Sequence, residues 1–239
     1  MRAIPLLIGW SLLGLLLGCQ AGPKRGVAQV TLSPAYHPDS LGAVAFLGVA
    51  RGSAAGESAQ RAMEALIEEH LMAARAPFAI LPRDEVERRV AAAGGRETLA
   101  AVLAYWRNDK KVDKFELMKL GGMIGAEGVF LALVDEWSQD AASGGEGLAA
   151  NTRVSASLSL YSTVSGRRIW RADAAETMSS TALLKDDLVG SEQNTARARE
   201  IERRAPGAHS GDAGPAAVGF EAVGRVVAGA LARALEPPR

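Results

Sequence analysis

Two glycine clusters are the first candidates for chemistry in this chain. Gly52-Ser53-Ala54-Ala55-Gly56-Glu57-Ser58 follows an apolar run and precedes a helical pattern, the place where a loop cradles phosphate on backbone amides. The phosphate-binding loop needs a Lys just before the Ser; here Glu57 holds that place and the glycine spacing is one residue short. A carboxylate there repels a phosphate, so the loop reads as a connecting turn. Gly122, Gly125 and Gly128 stand three apart, superficially like a dinucleotide fingerprint. That fingerprint follows a strand and opens a helix, whereas here the helical pattern comes first and the strand after. The carbonyl end of a helix carries partial negative charge and repels phosphate. Gly125 is therefore expected to end the helix in a left-handed conformation. Gly121 and Gly122 are expected to be small so that the helix can approach a sheet.

Acid–base and nucleophilic chemistry find no constellation either. There is no Gly-x-Ser-x-Gly elbow and no Ser-x-x-Lys. His37 falls in a polar leader, His70 on a helix beside Glu68 and Glu69, and His209 in a polar stretch. None has a metal-ligand spacing, and His70 is expected to be solvated. Asp135 and Glu136 end an apolar strand, but strand neighbours point to opposite faces, so surface or hydrogen-bonded structural roles are expected. No catalytic residue, cofactor site or metal site is expected, and the chain reads as a non-enzyme. Trp170 is expected as a core anchor, with an exposed aromatic contact for a partner as the alternative.

The elements that would position such groups form one domain. The chain has 239 residues, 48% hydrophobic, enough material for a single core of fair size. Its 27 basic and 27 acidic side chains cancel, which removes the electrostatic footprint of a nucleic-acid binder. Aromatics at 5% are too sparse for base-stacking platforms.

The amino terminus carries the clearest functional signal. Met1-Arg2 is a short positive region, followed by the 14-residue apolar run Ile4–Leu17. A membrane span needs about 20 apolar residues, so this is expected to be a signal segment. The ending Leu16-Leu17-Gly18-Cys19 resembles the bacterial lipobox. That resemblance implies cleavage before Cys19, lipid on its sulfur and acylation of the new amino terminus, giving a membrane anchor through Cys19. More than one acyl chain makes such anchoring stable. A secretory signal with an incidental cysteine and an uncleaved anchor are the alternatives. Gln20 after the cysteine, by resemblance to enterobacterial sorting, favours the outer membrane. The expected division is a signal peptide over 1–18, a tether over 19–40, and one periplasmic domain over 41–239 with a mobile excursion at about 185–215.

Within the domain, Leu41–Val49 reads as a strand, and Ala59, Met63, Leu66, Ile67 and Leu71 mark a helix. Phe78–Leu81 is a short strand. Asp84 with Glu87, and Asp113 with Glu116, have the spacing of capping boxes. Gly94-Gly95 separates the first of these helices from one over Glu97–Arg107. Val129–Val134 runs without a polar break, as a strand buried on both faces does. A loop over 138–150 follows. Arg153–Tyr161 alternates, with Val154, Ala156, Leu158 and Leu160 inward and the serines outward on a half-exposed face. Arg167–Thr177 returns from a turn at Val164-Ser165-Gly166, and Val218–Leu235 is a closing amphipathic helix. The predicted architecture is a three-layer α/β sandwich, a mixed sheet of about five strands with flanking helices.

Several stretches together (AVAFLGV with its helix, FAILPRDEVERRV, LGGMIGAEGVFLALVDEW and VSASLSLYSTVSGRRIW) resemble a superfamily of periplasmic lipoproteins. It groups the curli-secretion lipoprotein, the outer-membrane activator of penicillin-binding proteins and the amino-terminal domain of the Tol-system propeller protein. The resemblance covers roughly residues 41–178 and the last helix. It implies a three-layer α/β fold and a role in binding or assembly with an envelope protein partner, with no catalytic residues to carry over. Two functions are expected from it: a binding or accessory factor in cell-envelope or peptidoglycan assembly, and, as the alternative, a subunit of a curli-type secretion apparatus. The second needs membrane hairpins of alternating strands, which the loops at 138–150 and 185–215 do not offer.

Overall fold

A computed structural model describes residues 26–140, 150–179 and 218–237. Among these, six strands form one mixed sheet: β1 (Gln29–Leu32), β2 (Ala43–Ala54), β3 (Ala79–Leu81), β4 (Gly128–Asp140), β5 (Asn151–Ser162) and β6 (Arg168–Ser179). Their order across the sheet is β1-β6-β5-β4-β2-β3. The β4-β2-β3 half is parallel and the β1-β6-β5-β4 half antiparallel. Five helices flank it: α1 (Glu57–Ala73), α2 (Arg83–Ala92), α3 (Arg96–Asp109), α4 (Lys114–Ile124) and α5 (Phe220–Arg233).

The chain crosses from β2 to β3 through α1 on one face, then from β3 to β4 through α2, α3 and α4 on the other. Two cores result. Val44, Phe46, Phe130, Leu158 and Trp170 face α1 and α5, while Leu47, Val129 and Leu131 meet Val86, Trp106, Leu117 and Leu120 from α2–α4. The alternation along β4, with Phe130, Ala132 and Val134 to one core and Val129 and Leu131 to the other, is why that strand has no polar break. The expected three-layer α/β sandwich is the fold observed.

Helix α1 buries the five residues that marked it. Helix α5 buries Val223, Val227 and Leu231, and Phe220 stacks on Trp137 with ring centroids 5.1 Å apart. The sheet has one strand more than expected, because Gln29–Leu32, read as tether, pairs antiparallel with Asp173–Trp170 of β6. Val30 and Leu32 alternate with Gln29 and Thr31 in the sequence, a four-residue signal beside the polar leader, yet all four residues are exposed at the sheet edge. Strand β4 also continues through Ser138–Asp140, paired with Asn151–Arg153, where a loop was expected. The predicted excursion at 185–215 lies outside the described residues.

The outward face of β5 is exposed only in part: Ser155 and Tyr161 are half-buried, and the serines between them are covered. Ser157 and Ser159 are 2% and 1% accessible; small side chains sink beneath larger neighbours, and Arg171 and Asp173 stand opposite them on β6.

Candidate functional site

The glycine-rich corner is built from the end of α4 and the start of β4. Asp113 caps α4, its Oδ1 accepting from the backbone N–H of Phe115 at 2.8 Å and of Glu116 at 3.0 Å. The expected box at Asp84 and Glu87 does not form. Pro82 is the cap residue there, and Glu87 pairs instead with Arg83 one turn back. Helix α4 ends at Gly125, with φ 63° and ψ 45°, whose N–H donates to the Gly121 carbonyl at 2.9 Å. Arg89 from α2 donates to the Ile124 carbonyl at 2.7 Å, so a cation sits on the negative end of the helix.

Gly121 is the close-approach residue. A Cβ there would lie 2.3 Å from the Thr163 Cβ, and the Thr163 hydroxyl donates to the Ala126 carbonyl at 2.6 Å. Gly122 is not: it is exposed, and a Cβ on it would meet nothing within 4 Å. Its neighbour one step round the helix faces the sheet, and Gly122 faces away. Glu127 then clamps the strand starts, accepting from the Ala43 N–H at 2.8 Å while its own N–H donates to the Ala43 carbonyl at 3.0 Å. Every group in the corner is spent on packing and backbone bonding.

An open cleft of about 940 Å³ lies elsewhere, at the carboxyl ends of β2 and β3. The connections leaving these two strands go to opposite faces, which opens a crevice of the type that takes ligands in α/β sheets. Arg83, at the start of α2, stands at its centre. It pairs with Glu64 of α1 and with Glu87 at 3.0 Å, and its N–H is accepted by Glu68 at 2.8 Å. With those carboxylates engaged, Arg51, Arg61 and Arg107 remain on the walls without an ion pair among the described residues, as do Glu57 and Asp84. A contiguous groove of about 460 Å³ runs between α2 and α3 over Val90, Leu99 and Leu103. Neither cavity is lined by His or Cys. The arrangement suits holding a partner segment that carries charge at one end and apolar side chains at the other. The sequence does not display it, because its four arginines lie on four different elements, β2, α1, α2 and α3. The one available signal was the glycine loop after β2, which ends at the mouth of this cleft.

The remaining candidates are not brought together. Asp135 is exposed in a bulge of β4, beside Arg171 and Asp173; burial of part of its carboxyl pushes its pKa up, with Arg171 opposing and Asp173 adding. Glu136 accepts from the Ser138 hydroxyl at 2.8 Å. His37 is exposed ahead of a short 3₁₀ turn. His70 is not solvated as expected: it packs towards Gly229 of α5, and its Nε2 has no hydrogen-bond partner. The surface face of α1 is covered there by α5, a contact between distant segments. Trp170 is a core anchor, 2% accessible, meeting Phe130 edge-on at 6.0 Å. Cys19 and His209 lie outside the described residues. Among the described residues no helix is long and apolar enough to cross a membrane, and no cluster of His, Cys, Asp and Glu could hold a metal ion.

No family model matches the chain, and no curated protein sequence matches it. Solved structures similar to it include the PelC dodecamer from Paraburkholderia phytofirmans, 13% identical over 89% of this chain and 99% of that one, with a TM-score of 0.45. The lipoprotein GNA1162 from Neisseria meningitidis is 16% identical over 68% of this chain and 99% of that one, with a TM-score of 0.37. The LpoB C-terminal domain from Salmonella enterica is 10% identical over 60% of this chain and 87% of that one, with a TM-score of 0.33.

Proposed function

We propose that this chain is a non-catalytic binding module of the bacterial envelope, anchored in the outer membrane through lipidated Cys19. Its domain contacts an envelope protein engaged in cell-envelope or peptidoglycan assembly. The observation that carries this reading is the sequence Leu16-Leu17-Gly18-Cys19 directly after a 14-residue apolar run. The cleft at the ends of β2 and β3 supports the binding half. It offers arginines and an apolar floor to a partner segment, and two of its carboxylates, Glu64 and Glu87, are held in ion pairs with Arg83.

Photo-crosslinking in intact cells tests the partner. Crosslinkers at Ala65 and Ala104, exposed on the walls of the two cavities, should capture one envelope protein reproducibly. A chain that captures none from either position, in a strain whose envelope is unaffected by deletion of the gene, is not the module described.

A further inference from the structure

One pole of the domain carries a concentration of charge that the neutral composition conceals. Of the six lysines in the chain, Lys110, Lys111, Lys114 and Lys119 fall within ten residues, on the α3–α4 connection and α4. The β5–β6 turn packs against this segment: a Cβ on Gly166 would collide with the side chain of Lys114. That turn adds Arg167 and Arg168, both exposed. Asp109, Asp113 and Glu116 are the acidic residues of the same stretch, with Asp113 occupied in capping α4, and Glu127, whose carbonyl bonds Thr163, has its carboxylate engaged by the Ala43 N–H. None of the four lysines forms an ion pair among the described residues. Among the described residues the Lys110 ammonium donates only to the Arg107 carbonyl.

Large apolar side chains stand among these cations. Phe115 is 76% accessible and Val164, in the adjoining turn, 71%. Met118, one turn along α4 from Phe115, is 37% accessible. The face of α4 that holds Leu117, Leu120 and Ile124 is already buried, so Phe115 is not a displaced core residue. An exposed aromatic ring ringed by unpaired cations marks a contact surface.

The direction in which the pole points narrows the partner. Gly26, where the described chain begins, bonds to Glu176 at the opposite end of β6. From Glu176 to Arg168 the strand spans about 26 Å at about 3.3 Å per residue, and the basic turn lies beyond that. Cys19 is seven residues before Gly26, a reach of at most about 25 Å fully extended. An anchor at Cys19 therefore joins the domain at the end of the sheet away from the basic pole, which is the end left farther from the anchor along the sheet.

Resting on the anchored-module reading, we infer that the pole formed by Lys110, Lys111, Lys114, Arg167 and Phe115 docks on the glycan of the cell wall. The chemistry it recognises is a polymer bearing carboxylates and pyranose rings. The cations meet the peptide carboxylates, and the Phe115 ring packs on the CH face of a sugar. Cations spread over a helix and a turn fit a repeating polyanion better than a single phosphate.

Co-sedimentation of the full chain, in detergent, with purified peptidoglycan sacculi tests this. Because no bilayer is present, the result does not depend on lipid at Cys19; that reading is tested separately by membrane fractionation. The full chain should sediment with sacculi at low ionic strength and be released as salt screens the charges. Phe115→Ala should lower the bound fraction several-fold, and the triple change Lys110→Glu, Lys111→Glu, Lys114→Glu should abolish it, with thermal melts unchanged. Wild-type protein that stays in the supernatant overturns the inference, as do variants that sediment like wild type. Binding to phosphatidylglycerol vesicles but not to sacculi would assign the pole to a lipid surface instead, and equally overturns it.

Discussion

Thr163 stands so close to Gly121 that a single methyl group on the glycine would lie 2.3 Å from the threonine Cβ. The turn after β5 and the last helical turn of α4 thus meet backbone to side chain, with the Thr163 hydroxyl fixed on the Ala126 carbonyl. Gly121→Ala should destabilise the domain by about 1–3 kcal/mol through overpacking. Urea unfolding checks this, as a lower midpoint with an unchanged slope.

Its neighbours should behave differently, each for its own reason. Gly125 holds φ 63°, so Gly125→Val should cost about 1–2 kcal/mol or more from left-handed strain. Gly122 is exposed on a helix with nothing within 4 Å of an added Cβ, so Gly122→Ala should gain up to about 1 kcal/mol in helix propensity. Three adjacent glycine changes measured by the same unfolding curve separate packing, strain and propensity.

The contrast also shows how far the sequence could be read. The role of Gly125 was legible because a helix that ends before a buried strand needs a left-handed residue, and that is a local requirement. Gly121 and Gly122 could not be told apart, since which of them faces the sheet depends on where Thr163 arrives from a distant turn. The burial of Val129–Val134 on both faces was legible from its unbroken apolar run. Strand β1 was not, because its alternation is only four residues long and its pairing depends on where β6 lies far along the chain. The cleft around Arg83 is a product of topology; of the basic pole, the lysines and Phe115 lie within ten residues of each other, and only Val164, Arg167 and Arg168 join them through the fold. Cys19 is the reverse case, readable in the sequence and outside the described residues.

Glu127 offers a test of how the sheet is pinned at its lower end. Its carboxylate accepts the Ala43 N–H at 2.8 Å, and its backbone bonds Ala43 and Thr163 on either side. Glu127→Ala should cost about 1.5–3 kcal/mol, the range for a hydrogen bond to a charged group. Glu127→Gln, which keeps an acceptor oxygen, should cost less. Denaturation of both variants beside wild type checks the order.

Asp135 should impose a pH dependence of defined sign. Burial, with Asp173 adding, holds its carboxyl above the ordinary value of 3.8 despite Arg171. The folded chain therefore keeps the proton longer than the unfolded chain. Stability contributed here falls as pH rises from 3.8 through the raised pKa, and is level above it. Asp135→Asn should match wild type at low pH and melt at a higher temperature near neutrality. Melting curves of both chains across that window check the sign; a variant less stable near neutrality would reverse it.

The claim on which the rest depends is that Cys19 carries the chain to a membrane. Fractionation of cells expressing wild type and Cys19→Ala, with mass spectrometry of the amino-terminal peptide, tests it most directly. Wild-type protein should sediment with the outer membrane, its mature chain starting at an acylated Cys19, and Cys19→Ala should lose that processed, lipid-bearing terminus. A wild-type chain that is soluble, or whose mature terminus is unmodified or begins elsewhere, contradicts the account.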